Sequence, residues 1–174
     1  MSRVEGNWPK SPKGMAQATF YFDFYLARAL EHAGMGNRYL EMLAPWRQML
    51  RQNFTTWPEQ PDPTRSDTHG WSAHPTADLL AIVAGIEPAA PGFAKVKIAP
   101  QLGPLKSVKA SFAHPKGAIT VDYRVDGKGG LLAVVSLPPG LSGDFEWGGI
   151  GQNLSPGTNK FWHSPLSVKP SQKH

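Results

Sequence analysis

Residues 53–75 read NFTTWPEQPDPTRSDTHGWSAHP. These 23 positions hold two Trp, two His, one Glu, two Asp, one Arg and four Pro. Glu59 follows Pro58, whose ring fixes its own φ and pushes Trp57 toward extended geometry, so a stiff segment delivers the carboxylate. An acid on a rigid loop beside an aromatic ring is suited to work as a general acid or base. A solvated loop glutamate is the commoner fate of that residue type. His69 stands between Asp67 and Trp71, a polar group next to a ring able to stack on a sugar face; the plainer reading is a His bonded to a backbone carbonyl. His74, before Pro75, reads as support for the start of a helix. Asp62 and Asp67 are potential metal ligands with the two His. No HExxH, EF-hand or His-x-His spacing accompanies them, so neither a metal nor a cofactor is expected. A Gly-x-Ser-x-Gly elbow, a P-loop and a dinucleotide fingerprint are all missing. Aromatic, acidic and His groups on loops above a helical scaffold suit carbohydrate.

Three helices are expected to carry this loop. Residues 17–33 read as the first, with Phe20, Phe24, Ala27 and Leu30 on one apolar face. Tyr21, Phe22 and Tyr25 lie off that face, so the helix is apolar on more than one side and wants partners on several. Gly34 and Gly36 stop it. A second helix follows, with Asn37 as N-cap and Tyr39, Leu43, Trp46 and Leu50 at helical spacing; Pro45 should kink or split it. A third runs from Ser72, as cap, to Ala84, with Asp78 favouring its positive end and Leu79, Leu80, Ile82 and Val83 buried.

Past the Pro-rich joint EPAAPG the pattern changes to short alternating runs: KVKIAP, LKSVKASF, AITVDYRV, GLLAVVSLP and GDFEWGG. In AITVDYRV, Ile119, Val121, Tyr123 and Val125 share one face, while Thr120, Asp122 and Arg124 share the other. Strands at this spacing point to a small antiparallel β-sandwich. The expected division is residues 1–90, helical, and residues 91–174, sheet, in an α+β chain. An αα-hairpin plus one helix is a poor domain by itself, and hairpins with long loops at one end are the units of helical toroids.

Bulk properties exclude several classes. Of the 174 residues, 40% are hydrophobic and 18% charged, a globular and not a disordered composition. The net charge is +5, but no two of the Lys and Arg are adjacent, which reads as a mildly basic surface and not a nucleic-acid site. The absence of Cys rules out a disulfide framework. No apolar h-region opens the sequence and no apolar run reaches about 18 residues, so no membrane partner is expected. Neither fact fixes a compartment.

The loop and its surroundings carry a resemblance. Thr55-Thr56-Trp57-Pro58-Glu59 is followed by Arg65-Ser66-Asp67-Thr68-His69-Gly70-Trp71-Ser72-Ala73-His74-Pro75. Then come Gly85-Ile86-Glu87-Pro88, Pro91-Gly92-Phe93 and Ile98-Ala99-Pro100. In order and spacing this resembles the C-terminal part of bacterial α-L-rhamnosidases, glycoside hydrolase family 78, through about residue 140. The aromatic helix at residues 19–30 fits as well. Thr68 stands where the family usually carries Cys, one small residue for another. The resemblance implies the last helices of an (α/α)6 catalytic barrel followed by a C-terminal β-sandwich. It implies hydrolysis of terminal α-L-rhamnose from a glycoside or oligosaccharide, with inversion. Glu59 is similar by position to the family's general base, and His69 to the His that binds the sugar hydroxyls. The resemblance also implies that Trp57 and Trp71 shape the pocket wall. The family's general acid lies in an earlier Asp-rich motif that finds no match in this sequence, so the chain is expected to be nearly inactive alone. Two other readings stand beside this one. The chain can be a non-catalytic carbohydrate-binding module, with Phe145, Trp147 or Trp162 as stacking platforms. It can also be a subunit completing a barrel whose N-terminal segment is another chain.

Overall fold

The computed structural model describes residues 18–60 and 64–164. Asp62, the ends of the sequence and Gln17, the first residue of the expected helix 17–33, lie outside them. The chain divides into two compact units between Val83 and Ala84.

In the first unit, α1 spans Phe20–His32. Thr19 caps it by accepting the Phe22 amide, satisfying one of the donors that a helix start leaves free. Phe20, Asp23 and Ala27 are its buried residues, whereas Phe24 is exposed. The inward stripe is thus rotated from the purely apolar one and takes in an acid. The second helical segment is split as Pro45 requires, into α2 (Tyr39–Met42) and α3 (Ala44–Arg51), with Pro45 in the first turn of α3. Asn37 is not a cap, because it sits inside a 3-10 turn, Gly36–Arg38. Leu50 points to solvent at 72% exposure and Met49 is buried in its place. Phe20, Trp46 and Met49 form a small core, with Leu43 and Phe54 against it.

The third helix is likewise not continuous. A 3-10 turn, Gly70–Ser72, precedes α4 (Pro75–Asp78), which runs on as a π-helical turn, Leu79–Val83. Ser72 does not cap it, having another use described below. Ile82 and Val83 are buried while Leu79 is exposed.

The second unit is a sandwich of two four-stranded sheets. One runs β1 (Ile86–Pro88), β2 (Lys95–Ile98), β6 (Ser142–Trp147), β7 (Ile150–Leu154); the other runs β3 (Ser107–His114), β4 (Gly117–Val125), β5 (Leu131–Leu137), β8 (Gly157–His163). All five strand runs read from the sequence are present, and every pairing is antiparallel except the parallel β2–β6 pair. The expected boundary near residue 90 falls inside this unit, because Ile86–Pro88 pairs with β2. A three-residue strand with a proline at its end has too little alternation to stand out in a sequence.

Alternation sends Ile119, Val121 and Tyr123 of β4, and Leu131, Ala133 and Val135 of β5, into a common core. Val96, Ile98 and Phe145 meet them from the facing sheet. The Tyr123 hydroxyl, out of water, donates to the Ala84 carbonyl at 2.9 Å. Phe145 and Trp147 belong to this core at 0% and 7% exposure, so neither can be a stacking platform. Trp162 is outside it.

The parallel pair depends on Gly143, opposite Val96. A Cβ at Gly143 would lie 2.3 Å from the Val96 carbonyl oxygen, a backbone atom. Gly143→Ala is therefore expected to cost about 2 kcal/mol or more. An unchanged urea midpoint in that variant would refute the close approach.

Candidate functional site

The loop after α3 folds into two arms lying side by side. The Glu59 amide donates to the Ser66 carbonyl at 2.9 Å, the His69 amide donates to the Trp57 carbonyl at 2.5 Å, and the Thr56 hydroxyl donates to the Asp67 carbonyl. Trp57 and Glu59 on one arm are thereby registered against Ser66 and His69 on the other. Pro58, before Glu59, lowers the entropy of the unfolded chain and so favours this arrangement.

The arms are fastened to the helices at Ser72. Its side chain is fully buried, and its hydroxyl donates to the Pro58 carbonyl at 2.6 Å. Its own carbonyl accepts the Trp46 indole N–H at 2.7 Å. α3 therefore holds Ser72, and Ser72 holds the peptide that enters Glu59.

Glu59 is 9% exposed. Both of its carboxylate oxygens meet the fork of Arg65, with Nε to Oε2 at 3.2 Å and the other guanidinium nitrogen on Oε1. A planar guanidinium matches a carboxylate in two-point contact and fixes its orientation. It also supplies the opposite charge that a nearly buried carboxylate needs. Arg65 itself points outward, 72% exposed. The carboxylate is thus oriented from its solvent side, able to take a proton from a water or a sugar hydroxyl placed against it.

His69 is half-buried, its ring edge-on to Trp71 with centroids 4.4 Å apart. Trp71 in turn packs on Tyr21 of α1 at 5.1 Å, and the Tyr21 hydroxyl meets that of Tyr25 at 3.1 Å. Trp71 and Trp57 are both largely exposed. The structure therefore brings Glu59, His69 and Trp57 together through the paired arms, and adds Trp71 through His69. Trp57 joins by its backbone; among the described residues its ring stacks on no other. Asp67 is an exposed arm residue whose carbonyl accepts the Thr56 hydroxyl.

His74 is not simply a helix-start residue. Its Nδ1 lies 2.7 Å from Oδ2 of fully buried Asp78, whose other oxygen pairs with Arg28 of α1. Its ring stands edge-on to Trp46 at 5.1 Å. Asp78 is consequently an internal ion-pair partner and not a solvated acid at a helix start. Asp23, also buried, belongs to the same polar layer. Burial pushes its carboxyl up to about 6, with His74 pulling the other way.

Three participants were not singled out by residue type: Arg65, Ser72 in its anchoring role, and Asp23. Arg65 has a weak signal in the sequence, a cation six residues beyond Glu59 with two prolines between them. Asp23 has a better one, a lone acid within FYFDFY at helical spacing from Phe20 and Ala27.

Residues 85–144 match the family model of the bacterial alpha-L-rhamnosidase C-terminal domain. The fold resembles the native α-L-rhamnosidase of Aspergillus terreus over 83% of this chain and 19% of that one, at 21% identity and a TM-score of 0.75. The GH78 family rhamnosidase of Bacillus sp. GL1 is 27% identical over 78% of this chain and 16% of its own, with a TM-score of 0.69. The Streptomyces avermitilis α-L-rhamnosidase complexed with L-rhamnose is 20% identical over 82% and 16%, with a TM-score of 0.64. Among curated proteins no match is found. The α+β succession of helices and antiparallel-rich sheets is that of the C-terminal portion of these enzymes. The chain spans less than a fifth of the length of the three rhamnosidases compared.

Two consequences are measurable. Ser72→Ala leaves the Pro58 carbonyl without its donor, at a cost of about 1–3 kcal/mol. Amide exchange at Glu59 and His69 should quicken relative to the sandwich, and equal exchange would show that the arms hold themselves. For Asp23, the folded state keeps its proton up to about pH 6, while the unfolded carboxyl ionises near its ordinary 3.8. Stability of the helical unit should thus fall as pH rises from about 4 to about 6, by about 1–2 kcal/mol. Asp23→Asn should remove that slope; parallel pH curves for the two proteins would contradict the assignment.

Proposed function

We propose that this chain, whose residues 85–144 match the bacterial α-L-rhamnosidase C-terminal domain, supplies the closing helices of the catalytic barrel and the following sandwich of an inverting α-L-rhamnosidase. Glu59 is the general base and His69 holds sugar hydroxyls, with Trp57 and Trp71 walling the pocket. The observation that carries this reading is the paired loop, which sets a nearly buried, Arg65-oriented carboxylate in register with His69. Its support is the likeness to rhamnosidases over about four-fifths of the chain.

Inversion places two carboxyl groups about 6.5–9.5 Å apart across the scissile bond. One protonates the leaving oxygen as the bond breaks. The other takes a proton from the water that attacks the opposite face of the sugar. Glu59 serves the second role. The acid for the first comes from barrel segments other than these. Further helices also account for the aromatic face of α1: Tyr21, Phe22, Phe24 and Tyr25 are all largely exposed. A face of that kind marks an interaction surface. Whether those helices belong to the same polypeptide or to a separate chain, they would cover the same residues.

The isolated 174 residues should hydrolyse an aryl α-L-rhamnoside at least about 10²–10⁴-fold below ordinary enzyme rates, because on this reading the general acid comes from other barrel segments. Substituting this chain for the matching end of the Bacillus sp. GL1 enzyme should give an active chimera. Glu59→Gln should then lower its kcat by about 10²–10⁴-fold. Full turnover by the isolated chain, or an active chimera indifferent to Glu59→Gln, would sink the reading.

A further inference from the structure

We propose that His74 is a positioning residue for the Glu59 carboxylate, and that the buried acid Asp23 beside it makes this positioning respond to pH. The coupling is a property of the helical unit itself. Only its catalytic meaning rests on the reading of Glu59 as the general base.

The layer around His74 draws its groups from three helices. α1 contributes Asp23, Arg28 and Glu31, α2 contributes Tyr39, and α4 contributes Asp78, with His74 just before it. Arg28 lies 3.1 Å from Glu31 and also meets Asp78. Asp78 grips the His74 ring at Nδ1, 2.7 Å away. The buried Tyr39 hydroxyl is pushed above its ordinary pKa, first by burial and then by the Asp78 charge.

Buried polar atoms are ordinarily paired, yet in this layer Oδ1 of Asp23, Nε2 of His74 and the Tyr39 hydroxyl have no hydrogen-bond partner among the described residues. The first two belong to groups that act on each other through their charges. An imidazole gripped at one nitrogen and unpartnered at the other can pivot about the gripped one. While Asp23 keeps its proton it exerts no net charge on that ring. Once ionised, it competes with Asp78 for the ring. Burial holds the proton on up to about pH 6, so the change falls in mildly acidic solution.

Movement of the ring has a short path to the loop. His74 stands edge-on to Trp46 with centroids 5.1 Å apart, and edge-on to Phe24 at 6.0 Å. The Trp46 indole N–H donates to the Ser72 carbonyl at 2.7 Å, and the Ser72 hydroxyl donates to the Pro58 carbonyl at 2.6 Å. Pro58 delivers Glu59. His74 is also two residues beyond Ser72, and its carbonyl starts α4 by accepting the Ala77 and Asp78 amides at 3.0 and 2.9 Å. A displaced imidazole therefore acts on both the indole that holds Ser72 and the short segment that carries it. A close-packed interior passes such a displacement on, because it has little slack to absorb it. The two charge states of Asp23 supply the two-state element that coupling requires.

The test follows the Trp46 indole N–H and the Glu59 amide by NMR in the full chain, from about pH 5 to about pH 8. The chain carries His69→Gln, which removes the loop's own imidazole and leaves the backbone pairing of the arms in place. Both resonances should shift together with a midpoint at about pH 6. Asp23→Asn, which has the shape of the protonated acid, should remove that shared step or displace it by about a pH unit or more. His74→Phe keeps a ring against Trp46 but offers no nitrogen to either acid, and should leave the Glu59 amide without the step. A Glu59 amide that shows no step in the parent, a step unchanged by Asp23→Asn, or a step unchanged by His74→Phe would overturn the proposal. If His74→Phe does not fold, the Asp23→Asn comparison decides alone. None of these outcomes depends on rhamnosidase activity: an active chimera indifferent to Glu59→Gln would remove the base assignment and leave the coupling standing.

Discussion

The Ser72 hydroxyl on the Pro58 carbonyl is the contact on which the arrangement of the loop depends. It is one hydrogen bond, worth about 1 kcal/mol net, but it is made by a fully buried side chain whose own carbonyl is held by the Trp46 indole. A helix, a 3-10 turn and the approach to Glu59 are thereby linked in series. The pairing of the arms then carries that position across to Ser66 and His69. A free loop of this length would spread its carboxylate and imidazole over many relative positions. Here the prolines remove part of that freedom before folding and the buried serine removes more.

Beneath the loop the helices hold a layer of charge. Arg28, Asp78, His74 and Asp23 come from α1, α4 and the residue before α4. Burying such groups opposes folding unless each finds a partner. Asp78 finds two, and the effect of Asp23 is visible in its upward-shifted carboxyl. The layer joins α1 to α4, while the small apolar core of Phe20, Trp46 and Met49 joins α1 to α3. Directional contacts there select a single arrangement of α1 against α4, which a few apolar side chains specify less sharply.

The sandwich follows simpler physics. Its apolar core is continuous and comes from both sheets. The alternation that builds the core also determines what faces outward, so the exposed rows on β3, β4, β5 and β8 are a direct consequence of the register.

The sequence by itself determined the parts governed by local rules. Period-two alternation marked the β2, β3, β4, β5 and β6 runs. Pro45 split its helix because the ring removes an amide and crowds the preceding turn. The residues of the loop and their spacing carried the family resemblance and selected Glu59 and His69. What only the tertiary structure decided were matters of contact between distant positions. Phe145 and Trp147, plausible platforms by type, are buried because their strand's register turns them inward. β1 exists because β2 offers it an edge, not through any pattern of its own. Ser72 looks like a cap and becomes an anchor because Pro58, 14 residues away, is brought beside it. Asp23 sits in an aromatic run, and its burial, which raises its pKa against the pull of His74, depends on which side α1 turns inward. Propensity and period act over a few residues and are written in the chain. Burial and charge pairing depend on which distant segment arrives, and folding alone settles that.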